Sequence, residues 1–173
     1  MRRTRIACML IVHAVLSAGF VCAQSQNRAA PPADLAQLMR GIMFPSSNVF
    51  FAAQDQNPDE IKPDSKPAVS PNPLTSVFGK WQAVENSALA LAESASLMMI
   101  PGRKCSNGAD VPLKNPDWAK LVQEFREAGL TAYKAAQSKN QDNVLSAAEV
   151  VTNSCSNCHR KYRERPNRAD QCR

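Results

Sequence analysis

The sequence predicts an all-α protein, an antiparallel up-down-up-down four-helix bundle with a long Pro-rich loop between helices one and two. Three observations carry that expectation. Apolar residues return at alternating three- and four-residue steps in four separate segments. Runs of alternating β-branched residues, the mark of strands, are absent. The connections after the second and third segments are short, which favours antiparallel neighbours. A length of 173 residues suits one domain, and no internal repeat is present.

The first 23 residues stand apart from that domain. A basic start, MRRTR, precedes the apolar run IACMLIVHAVLSAGFV, and Val21-Cys22-Ala23 offers a small-residue cleavage pattern before Gln24. This is the layout of a bacterial secretory signal, and the run is short for a membrane span of roughly 20 residues. Residues 1–23 are expected to be removed and 24–173 to remain as an exported, periplasmic domain. Loss of Arg2, Arg3 and Arg5 takes 21 basic residues to 18 against 15 acidic ones, a net charge of +3. That balance is too weak to argue for nucleic acid. Cys8, Cys22 and His13 leave as well, so the mature chain keeps Cys105, Cys155, Cys158, Cys172 and one histidine, His159.

Helix one is expected from Asp34, an N-cap placed after Pro31-Pro32, with Leu35, Leu38, Met39 and Ile42 on one face. Pro45 should kink or interrupt it before Val49, Phe50 and Phe51 carry it to about Gln54. Residues 55–73 hold five prolines and little apolar content, so an extended loop is expected there. Helix two should run from about Leu74 to Ile100, with Val77, Trp81, Val84, Ala88, Leu91, Ala95 and Met98 along its seam. Helix three opens with Asn115 as N-cap and Pro116 at its first position; Trp118, Leu121, Phe125, Ala128, Ala132 and Ala136 share a face. Helix four should start near Asp142 and turn Leu145, Ala148, Thr152, Cys155, Cys158/His159 and Tyr162 inward, until Pro166 ends it.

Chemistry is concentrated in CSNCHRKYR, residues 155–163. A C-x-x-C-H string is the attachment motif of c-type haem: two thiols meet the two vinyl groups, and the adjacent imidazole reaches the iron. Two other readings compete. A zinc site needs a second ligand pair, and Cys105 and Cys172 stand alone. A thiol–disulfide switch expects C-x-x-C at a helix N-terminus, where the dipole lowers a thiol pKa; here the motif lies near a helix C-terminus. No nucleophile–base pair or paired acid site is evident, so an enzyme is not expected.

The motif's place late in the fourth helix, its C-x-x-C-H-x-x-aromatic-basic ending with Tyr162 and Arg163, and the first-helix stretch DLAQLMRGIM resemble the class II c-type cytochromes, that is, cytochrome c′ and its low-spin, methionine-ligated relatives. The resemblance covers most of residues 34–165. It implies haem c with its iron as cofactor, held covalently by Cys155 and Cys158, with His159 as the proximal ligand. Arg163 falls at a basic position on the proximal side. Met43 falls at the distal position, and Met39 and Arg40 lie at and beside the place of the family's first-helix arginine. The same resemblance implies a homodimer through the first two helices and one-electron exchange with periplasmic or membrane redox proteins.

With His159 the lone mature histidine, ligation by two imidazoles of one chain is excluded. Met39, Met43, Met98 and Met99 are the thioether candidates for the sixth place. Two readings stay open: Met43 binds the iron, which suits electron transfer, or it only packs, leaving a five-coordinate iron able to bind NO or CO. Cys105 and Cys172 follow the ends of helices two and four, so a disulfide is expected in an oxidising compartment. The basic tail is expected either as a solvated helix end or as a docking patch for an acidic partner.

Overall fold

The computed structural model describes residues 29–167 together with residues 171 and 172. The expected secretory signal over 1–23 lies outside the described residues. Four helices account for the fold. The first, α1, is a continuous rod in three parts: α-helical Leu35–Leu38, a π turn over Met39–Met43, and α-helical Phe44–Asp55. Then come α2, Lys80–Leu97, α3, Pro116–Gln137, and α4, Gln141–Cys158, the last extended by a second π turn over His159–Arg163. Helix α1 packs on α2 and α4, and α3 packs on the same two, so the helices form a closed ring around one core. Among the described residues there is no strand, only a single antiparallel bridge between Lys104 and Asp110. Among them, no helix is long and apolar enough to cross a membrane.

Helix α1 starts where its cap predicts. Asp34 Oδ1 accepts from the Gln37 backbone N–H at 2.7 Å, and Gln37 Oε1 accepts from the Asp34 N–H at 2.9 Å. This reciprocal box satisfies two otherwise free donors. Pro45 does not interrupt the helix as expected. In a regular α-helix its ring would press on the carbonyl four residues back, that of Gly41. The chain instead widens just ahead of it, with the Phe44 N–H bonded to the Met39 carbonyl five residues back. The helix then runs on to Asp55.

The proline-rich segment is a string of turns rather than an extended strand of chain. Three 3₁₀ turns, Pro58–Glu60, Pro67–Val69 and Pro73–Thr75, each open on a proline. Asn57 and Asn72 cap two of them through side-chain oxygens. Pro58 and Leu74 are buried, and Asp59 accepts from Trp81 Nε1 at 3.0 Å, so the segment is pinned to the start of α2.

Helix α2 begins at Lys80, later than the expected Leu74, and Val77 is exposed instead of on the seam. The chain must first reverse: Lys80 has φ 57°, and a Cβ on Gly79 would strike the Leu74 carbonyl oxygen. From Trp81 on, the seam is as predicted, with Trp81, Val84, Ala88, Leu91, Ala95 and Met98 buried. Where α2 crosses α3, a Cβ on Gly129 would lie 2.6 Å from the Ala92 nitrogen, so a side chain there would force the two backbones apart.

Helix α4 starts at Gln141, with Asn140 rather than Asp142 at its boundary; Asn140 Oδ1 accepts from the Asn143 N–H at 3.1 Å. Its inward stripe is also offset from expectation. Leu145 is exposed, while Val144, Ala147, Ala148, Val151 and Ser154 are buried; Thr152 lines the cavity described below, on the expected side. At the other end, on the π turn, Tyr162 is inward as expected, at 5% exposure.

Candidate cofactor site

Cys155 and Cys158 stand one turn apart near the end of α4, both free thiols and both half-buried. Burial raises the Cys155 pKa. Burial, and then the neighbouring Cys155, push Cys158 up to about 11. Both are therefore neutral thiols at neutral pH, unlike the lowered thiolate of a disulfide-exchange site. His159 is shifted the other way: burial first, then the Arg163 guanidinium, lower its pKa, so its imidazole is neutral with a lone pair free. Cys105 and Cys172 form a disulfide, with Cα atoms 4.9 Å apart. That bond removes the remaining thiols a zinc site would need, and among the described residues no cluster of His, Cys, Asp or Glu could hold a metal ion.

The π turn after Cys158 is closed by the Glu164 N–H bonding the His159 carbonyl at 2.9 Å. Tyr162 on this turn reaches α3. Its Oη donates to Asp117 Oδ1 at 3.0 Å, and its ring meets Trp118 edge-on, centroids 4.9 Å apart at 81°. Lys161 pairs with the other Asp117 oxygen, and this hydrogen bond chiefly holds the Asp117 carboxyl below its usual range.

Across the bundle, the other π turn presents Met39, Arg40 and Met43. Between the two turns lies a cavity of about 510 Å³, within the usual size of a small-molecule or cofactor site. All seven residues singled out from the sequence line it: Met39, Arg40, Met43, Cys155, Cys158, His159 and Arg163. Met98 lines it too, whereas Met99 does not. Phe44, Ser47 and Asn48 also line the cavity and were not foreseen. Pro45 hid them, because a helix expected to break there gives no reason to carry its face onward. Phe44 is the telling case, 65% exposed and at the cavity edge.

The donor set fits a haem. Two neutral thiols and a neutral imidazole lie on one wall, a thioether on the other, and Leu91 and Phe125 supply apolar lining. Among the described residues, the ionic side chains in the lining are Arg40 and Arg163, with no carboxylate, which suits a group with an anionic edge. Trp118, also in the wall, keeps a buried Nε1–H with no hydrogen-bond partner, an uncommon state for a finished interior.

The family model described as Cytochrome C' matches residues 102–163, the stretch holding α3, the thiols and the imidazole. No curated protein and no solved structure matches the chain. The first two helices, and with them Met43, lie outside the family match. The matched stretch, the helical bundle and the donor set agree with the resemblance read from the sequence: the chain is consistent with a class II c-type cytochrome, a family whose cofactor is haem c with its iron.

Proposed function

We propose that the protein is an exported monohaem cytochrome that carries single electrons in the periplasm. The observation behind this reading is a single cavity bordered by two neutral thiols, a neutral imidazole and a buried methionine. Haem iron, when bound, supplies a reversible one-electron change. The residues of the chain do the rest. Cys155 and Cys158, one helical turn apart, would supply two sulfurs for covalent attachment. His159 gives its free lone pair from the proximal side. Met43 offers a thioether from the facing wall. Leu91 and Phe125 would keep water from the group, one of the levers on its potential. Arg40 and Arg163 meet the anionic edge.

In this reading the bundle runs up-down-up-down, the protein is not an enzyme, and periplasmic or membrane redox proteins are its partners. A second copy would pair through α1 and α2. A rival reading, a five-coordinate protein that binds NO or CO, draws on the burial of Met43 in the apolar core, where packing alone accounts for it. Pyridine haemochrome analysis of purified protein tests the haem; a protein without covalent haem sinks both readings. The visible spectrum of the reduced form with CO separates them. A carrier should change little, whereas rapid, tight CO binding would favour the gas binder.

A further inference from the structure

Metal-bound histidines almost always donate their second ring nitrogen to a carboxylate, carbonyl or water, and that bond sets the ring's angle. Among the described residues no protein group hydrogen-bonds the His159 imidazole. Its direction therefore rests on the backbone that carries it. That backbone is a π turn, an uncommon form that persists only where surrounding contacts hold it. The holding contacts converge on Tyr162, three residues on. Its Oη bonds Asp117, its ring is backed by Trp118, and its carbonyl accepts from the Cys172 N–H at 2.9 Å. Lys161 closes the group by pairing with the same carboxylate.

We propose that the Tyr162–Asp117–Lys161 clamp sets the angle at which His159 enters the cavity. This rests on the reading of His159 as the iron ligand. Tyr162 and Asp117 are positioning residues: they touch the turn, not the iron. Asp117 at the start of α3 fixes the turn from one side, and the tail tied by the Cys105–Cys172 disulfide fixes it from the other. The clamp couples the proximal face to two elements remote from it in sequence.

The test compares Tyr162→Phe and Asp117→Ala with Val122→Ala, a buried α3 residue outside the cavity lining. Two readouts are used: the iron–imidazole stretching band of the reduced holoprotein, and hydrogen exchange of the Glu164 amide, which closes the π turn. Both clamp variants should shift the band and speed the exchange about tenfold, as expected for loss of one hydrogen bond. Val122→Ala should lower the melting temperature and move neither. Asp117→Asn keeps an acceptor for Tyr162 and should shift the band less than Asp117→Ala. An unchanged band in Tyr162→Phe and Asp117→Ala, with melting temperatures lowered as in the control, overturns the proposal. If the wild type carries no covalent haem, the function proposed above fails instead, and the Glu164 exchange rates still decide the clamp: unchanged rates overturn it.

Discussion

Both walls of the cavity carry a π turn, Met39–Met43 on α1 and His159–Arg163 on α4, yet the two differ in how their chemistry is held. The α4 wall is tied down from outside: Asp117 and Trp118 on α3 and the disulfide-linked tail all bear on it. Among the described residues, the α1 wall is tied at its ends rather than at its π turn, through the Leu35 N–H to the Lys104 carbonyl and Gln141 Nε2 to the Ala53 carbonyl. Its π turn sits beside Pro45, and its methionines face the cavity through packing alone. The family match follows the same divide, covering the α4 wall and stopping short of α1. Chemistry that demands fixed covalent spacing leaves a rigid motif. A soft donor that must only be near the iron leaves several methionines to choose from.

The strongest way to break the contrast is to remove the covalent tie. Replacing Cys155 and Cys158 together by alanine should abolish covalent haem, read as loss of the haem band on a denaturing gel. Retention of the band would mean that the α4 wall does not hold the cofactor through these thiols. Next is the tail. Cys105 and Cys172 close a separation of 67 residues. On the loop-entropy account their double alanine variant should lose about 4 kcal/mol in denaturant unfolding. A loss well under half of that would mean the tail adds little to the α4 wall.

On the opposite wall the effects should be spectral rather than structural. Met43→Leu nearly conserves volume and should cost less than about 1.5 kcal/mol. It should convert a low-spin reduced spectrum to a high-spin one that binds CO; an unchanged spectrum would show that Met43 only packs. Smallest in stability are Arg40→Gln and Arg163→Gln, at exposed positions, each expected within about 0.5 kcal/mol. Both should nevertheless shift the reduction potential if they face the anionic edge, as redox titration would show. Acid sharpens the same picture. Asp117 is held below its usual range by Lys161, so its contribution is full above the ordinary carboxylate pKa. That contribution is lost as pH falls through the lower folded value. A melting temperature of Asp117→Asn that falls with acid as steeply as that of wild type would remove this residue from the account.

Much of the α4 wall was legible because its signals are local. C-x-x-C-H fixes three side chains at steps of three and four along one helix face, and Tyr162 and Arg163 follow at set steps. The seam of α2 was legible from Trp81 onward for the same reason of period. What escaped notice depended on the chain's path. Val77 fits a helical period in sequence yet is exposed, because the turn at Gly79 starts α2 only at Lys80; Leu145 also fits the period and is exposed, with Val144 buried in its place. Phe44 was hidden by a proline that a π turn accommodates. Arg103 gave no signal at all, yet it is buried, with Nε donating to the Leu97 carbonyl at 2.9 Å and Nη1 to the Ala33 carbonyl, tying the end of α2 to the start of α1.

By itself the sequence determined the helical class, the C-x-x-C-H string and the set of methionines, since each is a matter of residue type and short spacing. Only the tertiary structure decided the rest: the pairing of Cys105 with Cys172, the meeting of Met43's wall with His159's, and the Asp117–Tyr162 bond across 45 residues. The reason is physical. Helical period constrains neighbours within a turn or two, whereas contacts between helices depend on where each begins, how each is wound, and which faces the packed core brings together.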